Sequence, residues 1–118
     1  MKDVLLVDDE LPFLRSLAEG IGFYSRYLNV ITADNGRKAI EILRTTVVDV
    51  VVTDLKMPEM DGFEVARYVR NKLPNVPVIV MTAYGDSNTD ARLKELGVVQ
   101  CLEKPLDFVD VIKKIMAA

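Results

Sequence analysis

Short apolar runs alternate along the chain with segments whose apolar residues recur at helical spacing. The runs cover residues 4–7 (Val-Leu-Leu-Val), 29–32 (Asn-Val-Ile-Thr), 50–53 (Val-Val-Val-Thr), 76–81 and 98–102. Runs one, three and four are apolar at successive positions rather than at every second one. This predicts strands covered on both faces, as in a parallel sheet. Between the runs, Leu11, Leu14, Leu17, Ala18 and Ile21 share one helix face. Phe63, Ala66, Val69 and Leu73 share another, and Val109, Ile112 and Met116 a third. Asp61 stands where it can cap the free amides of the helix that follows. Gly36 and Gly97 mark turns, and Pro74 and Pro77 bracket the entry to the fourth strand. The helix predicted over about residues 88–96 is the least apolar and reads as solvated. Regular alternation of strand and helix implies right-handed crossovers and an α/β, doubly wound, three-layer sandwich.

In such a sheet the functional site lies beyond the carboxyl ends of the strands. Strand one ends in Asp8-Asp9-Glu10, strand three in Asp54, strand four in Thr82 and strand five in Lys104-Pro105. A lone acid after a strand is usually a helix cap, and a lone lysine before proline is usually a solvated turn. Four strands delivering polar groups to one edge are harder to explain that way. Asp8, Asp9 and Asp54 would crowd three carboxylates together, and their repulsion would raise at least one pKa. A hard divalent cation relieves this, and Mg²⁺ prefers oxygen ligands with retained waters. A carboxylate can itself accept a phosphoryl group, through a loose transition state with charge on three equatorial oxygens. Lys104 and the Thr82 hydroxyl supply stabilisation for that charge.

Composition narrows the choices further. At 118 residues the expectation is one domain spanning residues 1–118. The net charge of -3 argues against nucleic acid as a direct partner. No apolar run reaches the roughly 18 residues of a membrane span. The N-terminus lacks a signal-peptide layout. A single cysteine, Cys101, rules out an internal disulfide and is compatible with a cytoplasmic setting. With no histidine at all, serine-histidine and cysteine-histidine catalysis are excluded, as is phosphohistidine chemistry on this chain.

LLVDDE (5–10), VTDLKMPEMDGFE (52–64), VIVMTAYG (78–85) and LEKP (102–105) together resemble the response-regulator receiver domain of two-component signalling, over residues 3–116. The wording is nearest to receivers of nitrogen-regulation transcription factors. The resemblance implies a flavodoxin-like five-stranded parallel sheet of order 2-1-3-4-5. It implies that Asp54 is the phosphoacceptor, that Asp9 binds Mg²⁺ directly, and that Asp8 acts mainly through a bound water. The Lys56 backbone carbonyl is a further implied ligand, and Mn²⁺ is an implied substitute for Mg²⁺. Thr82 and Lys104 contact the phosphoryl group, and Gly62 allows the tight turn after Met57-Pro58. The implied phosphodonor is a histidine kinase or phosphotransfer protein, with small phosphodonors also serving. A fused effector domain or a homodimer partner is also implied, and the wording favours a piece of a longer chain over a stand-alone receiver. The resemblance further implies a domain that catalyses its own phosphorylation and dephosphorylation without being a multiple-turnover enzyme. Lys56 and Tyr84, two residues beyond Asp54 and Thr82, are candidates to shield an acyl phosphate from water. The family's aromatic residue three positions before the active-site lysine is here Cys101, which puts the usual coupling of Thr82 to that position in doubt.

Three rivals belong to other classes. A flavodoxin-type flavin module needs a phosphate loop after strand one, where Asp8-Asp9-Glu10 would repel phosphate. A haloacid-dehalogenase-like phosphatase carries a second aspartate two residues after its nucleophile, and that position is Lys56. A degenerate receiver used only for protein interaction would be expected to have lost some of the site residues, all of which are present.

Overall fold

The computed structural model describes residues 1–83 and 87–118, with the backbone alone at Ser87. Ten elements alternate: β1 (Lys2–Val7), α1 (Leu11–Tyr24), β2 (Leu28–Ala33), α2 (Gly36–Thr45), β3 (Val50–Asp54), α3 (Gly62–Lys72), β4 (Val78–Thr82), α4 (Ser87–Glu95), β5 (Gln100–Glu103) and α5 (Phe108–Ala117). The strands form one parallel sheet in the order β2-β1-β3-β4-β5. The chain thus steps outward once to β2, returns past β1, and then runs on to β5. That reversal leaves a crevice between the carboxyl ends of β1 and β3.

Alternate side chains of the central strands go to opposite faces. Leu5, Val7, Val51 and Val80 face α2, α3 and α4, packing with Ala39, Leu43, Val65, Val69 and Leu93. Val4, Leu6, Val52, Ile79 and Met81 face α1 and α5, packing with Leu14, Leu17, Ile21, Val111 and Ile115. Both faces of β3 and β4 are closed to solvent, as their unbroken apolar runs predict. At about 25 cal/mol per Å² of apolar surface, this two-sided burial is the main force ordering the sheet.

Helix boundaries follow local chemistry. Asp61 accepts a hydrogen bond from the Glu64 amide at 3.0 Å, the expected cap of α3. Asn35 and Asp107 do the same for α2 and α5, through the amides of Lys38 and Val109. The Asp107 cap fixes the register of α5 and corrects its expected face. Phe108, Val111, Ile112 and Ile115 turn inward, while Val109 and Met116 are about half exposed. Leu11 in the first turn of α1 also lies outside the core.

The fifth strand starts two residues later than its apolar run. The Val98 amide donates to the Leu93 carbonyl, and Gly97, at φ +76°, donates to Lys94. This pair of bonds caps α4 and takes Val98 out of the strand. Gly36 does not sit in a turn. It opens α2 against Met60, whose carbonyl a Cβ would strike. Gly62 likewise opens α3 against the carbonyl of Asp54, so its need is close approach. The residue with positive φ in that turn is Glu59, at 65°.

Candidate functional site

β1, β3, β4 and β5 bring Asp8, Asp54, Thr82 and Lys104 to one end of the sheet. Asp8 follows β1 directly and is fully buried. Its Oδ1 accepts the Glu10 amide at 2.9 Å, and its Oδ2 accepts the Lys104 ammonium at 2.9 Å. Asp54 closes β3. Its Oδ1 accepts the Leu55 amide at 2.9 Å, and its Oδ2 lies 3.5 Å from Lys104 Nζ. The Lys104 amide donates to the Thr82 carbonyl at 2.8 Å, which ties the end of β5 to the end of β4. The Lys104-Pro105 peptide bond is cis. Asp54, Thr82, Lys104, Glu10, Lys56 and Ala83 line a cleft of about 180 Å³.

Acids and base pull against one another here. Burial, and then the charge of Asp8, push the Asp54 carboxyl above the usual carboxylate range, against the pull of Lys104. Burial alone would lower the Lys104 ammonium. The hydrogen bond and charge of Asp8, with the charges of Asp54 and Glu10, outweigh it and hold the pKa above the ordinary lysine value. Three carboxylates thus face one ammonium, an excess of negative charge that a divalent cation would neutralise.

The carboxylates brought together differ in one member from those expected. Asp8, Glu10 and Asp54 place oxygens within 4.8 Å of one another, and Asp9 is not in that group. The Glu10 amide bond to Asp8 folds the chain back, so the side chain two residues on returns to the cleft while the intervening Asp9 is exposed. Asp9 still acts on Asp54 as a lesser charge raising its pKa. Reading only the strand's last two aspartates missed Glu10, although it stands in the same acidic triplet. Lys56 lies at the exposed rim of the cleft and Thr82 is buried in it. Cys101 lies on β5, half-buried beside α4, and burial pushes its thiol up. Tyr84, expected to overhang the site, lies outside the described residues.

The family model of the response regulator receiver domain matches residues 4–116. The chain belongs to that family. It is 38% identical over 109 residues to the transcriptional regulatory protein ZraR of Escherichia coli K12, a match covering 90% of this chain and 24% of that one. The receiver therefore spans about a quarter of that curated relative. The chemotaxis protein CheY4 of Vibrio cholerae superposes with a TM-score of 0.91 at 26% identity, covering 99% of this chain and 98% of that one. A CheY-like receiver from Methanospirillum hungatei reaches 0.92 at 22% identity over 99% and 92%, which bears on the fold alone. The flavin-module and phosphatase readings find no such support. No helix among the described residues of this receiver is long and apolar enough to cross a membrane.

Proposed function

We propose that this receiver takes a phosphoryl group onto Asp54 from a histidine kinase or phosphotransfer protein, and that the acyl phosphate alters its protein contacts. The observation that carries this reading is the Asp54 carboxylate at the mouth of a cleft, 3.5 Å from a lysine ammonium that is bonded to Asp8 at 2.9 Å. One Asp54 Oδ attacks phosphorus as the bond to the donor breaks, and the donor leaves with that bond's electron pair. No base is needed where the attacking group is the carboxylate itself. Lys104 and the Thr82 hydroxyl take the charge on the phosphoryl oxygens. The domain promotes its own phosphorylation and dephosphorylation and is not a multiple-turnover enzyme.

The donor set of hard carboxylate oxygens fits Mg²⁺, and Mn²⁺ in its place. Asp54, Asp8 and the Lys56 carbonyl would hold it, with Asp9 the third carboxylate, since Asp9 is exposed and already within electrostatic reach of Asp54. Glu10, nearer in this state, is assigned to Lys104, 4.0 Å away. When bound, the ion supplies charge neutralisation to the acids and to the incoming phosphoryl oxygens. Asp9→Asn should therefore weaken Mg²⁺ binding more than Glu10→Gln, as read by calorimetric titration.

A small phosphodonor with Mg²⁺ should add one phosphoryl mass, labile to hydroxylamine, and Asp54→Asn should abolish it. Phosphate on a hydroxyl residue would overturn the reading. The regulators this chain resembles are about four times its length, which supports a fused effector domain in the parent protein. A cytoplasmic location fits a kinase donor.

A further inference from the structure

The Lys104 ammonium has a neighbour that carries no charge. It stands over the ring of Phe13, 4.4 Å from the ring centroid. Phe13 lies in the first turn of α1, half-buried, and packs against the core between the sheet and α1 and α5. Asp8, Asp54 and Glu10 hold the same ammonium at 2.9, 3.5 and 4.0 Å. A lysine head is a compact charge on a flexible stem, so three competing carboxylates alone do not fix it at one place. An aromatic face attracts a cation without engaging the anions' oxygens, and more strongly when water is kept away. Here the lysine side chain is only 16% exposed.

We propose that Phe13 is a positioning residue for phosphoryl transfer. Its ring holds the Lys104 ammonium at the cleft, so that the charge stands where the phosphoryl oxygens arrive when Asp54 attacks. A ring is suited to this because it does not have to be displaced. As the phosphoryl group draws Lys104 from the carboxylates, the contact with the ring can persist. The proposal rests on the reading of Asp54 as acceptor and Lys104 as phosphoryl contact.

The competing role for Phe13 is core filling alone, and the two separate experimentally. Phe13→Leu keeps an apolar side chain in the core but removes the π-face, and Phe13→Tyr keeps the face. Phosphorylation of the full chain by acetyl phosphate with Mg²⁺, followed by intact mass over a range of donor concentrations, gives the maximal rate and the half-saturating concentration. Thermal melts give stability separately. Phe13→Leu should lower the maximal rate about fivefold, the size of one cation–π contact, and Phe13→Tyr should restore most of it. In the absence of donor and metal, the Lys104 ε-methylene protons should be shifted upfield by the ring in the parent and in Phe13→Tyr, and not in Phe13→Leu. A phosphorylated parent with an equally fast Phe13→Leu, or an unshifted Lys104 in the parent, overturns the proposal alone. A parent that takes no phosphoryl group overturns the reading of Asp54 and this proposal with it.

Discussion

The centre of the sheet and its α4–β5 quarter are built from different forces. β3 and β4 are buried at every residue, and β1 over its last four. Asp8 and Asp54 at their ends are held by hydrogen bonds of 2.9 Å. In β5 only Leu102 is buried, and α4 sends only Leu93 into the core among the described residues. Polar contacts from α3 supplement that one anchor. The Arg92 guanidinium stacks on the Phe63 ring, 3.8 Å from its centroid, and Arg70 donates to the Glu95 carbonyl at the end of α4. Thr82 is the junction between these regions, at the end of the rigid β4 and ahead of α4. Asp8, Asp54 and Thr82 stand at the ends of the first region, while Lys104 follows β5 and is tied back to it through the bond from its amide to the Thr82 carbonyl. The second is anchored by fewer buried side chains, for which lower local stability is expected.

Truncation should show the contrast most strongly. Ile79→Ala, at a fully buried position of β4, should cost about 2–5 kcal/mol in denaturant melts. Arg92→Ala should cost no more than about 1 kcal/mol, the size of a cation–π contact from an exposed side chain. It should nevertheless speed amide exchange in α4 while leaving β3 and β4 unchanged. Equal losses from the two substitutions would remove the distinction.

Next in size is Lys104, the cation that balances the acids. Its raised pKa means that its stabilisation is complete below the ordinary lysine value and is lost only as pH rises through the folded value, so at neutral pH it is fully present. Lys104→Met leaves Asp8 and Asp54 without their counter-ion and should cost about 3 kcal/mol. Mg²⁺ should raise the melting temperature of this variant by more than that of the parent, because it meets the same excess of negative charge.

Asp54 shifts stability in the same direction with pH, but in the acid range and because its charged form is the disfavoured one. Its folded pKa lies above the unfolded value near 3.8, so the folded state holds its proton longer. Stability should fall as pH rises from that value through the folded one, and stay lower above it. Asp54→Asn cannot ionise. It should melt a few degrees above the metal-free parent at neutral pH, and near it at pH 3. A parent that is the more stable of the two at neutral pH would contradict the raised pKa.

The division between the two regions also marks what was legible in the sequence. Unbroken valine runs at 50–52 and the acid, hydroxyl and lysine groups at strand ends gave the sheet and most of the site, because two-sided burial and the strands' common direction leave few alternatives. The outer elements were less legible. The inward face of α5 depends on where Asp107 caps it, and Val98 reads as strand until the cap of α4 takes it. Glu10 carries no signal of its own in the sequence, since the turn that returns it to the cleft is made by a side chain bonding to backbone. Phe13 carries no such signal either. Its spacing resembles that of any core residue, and only the fold brings Lys104 over it.

The smallest expected effect tests the softer region directly. Cys101 lines a cleft of about 330 Å³ together with Asp90, Leu93, Lys94, Val98, Val99 and Gln100, between α4 and β5. The resemblance to the receiver family implies an aromatic side chain at this position, where a ring can respond to Thr82. A thiol is too small to do so. Because the cleft is already open, Cys101→Tyr need not overpack a closed core, and its effect on stability should stay within about 1 kcal/mol, below the usual cost of overpacking. Its effect on coupling should be larger. With a beryllofluoride mimic of the phosphoryl group, the parent's amide shifts should concentrate around Thr82 and the start of α4, and fade along β5 and α5. In the tyrosine variant they should extend through Gln100–Glu103 into α5, because a ring in the cleft touches α4 on one side and the strand on the other. A parent that already shows large mimic-dependent shifts along β5 would mean that this quarter is coupled to the site without an aromatic lever. A tyrosine variant that shows no extension would mean that the cleft does not lie on the route from Thr82.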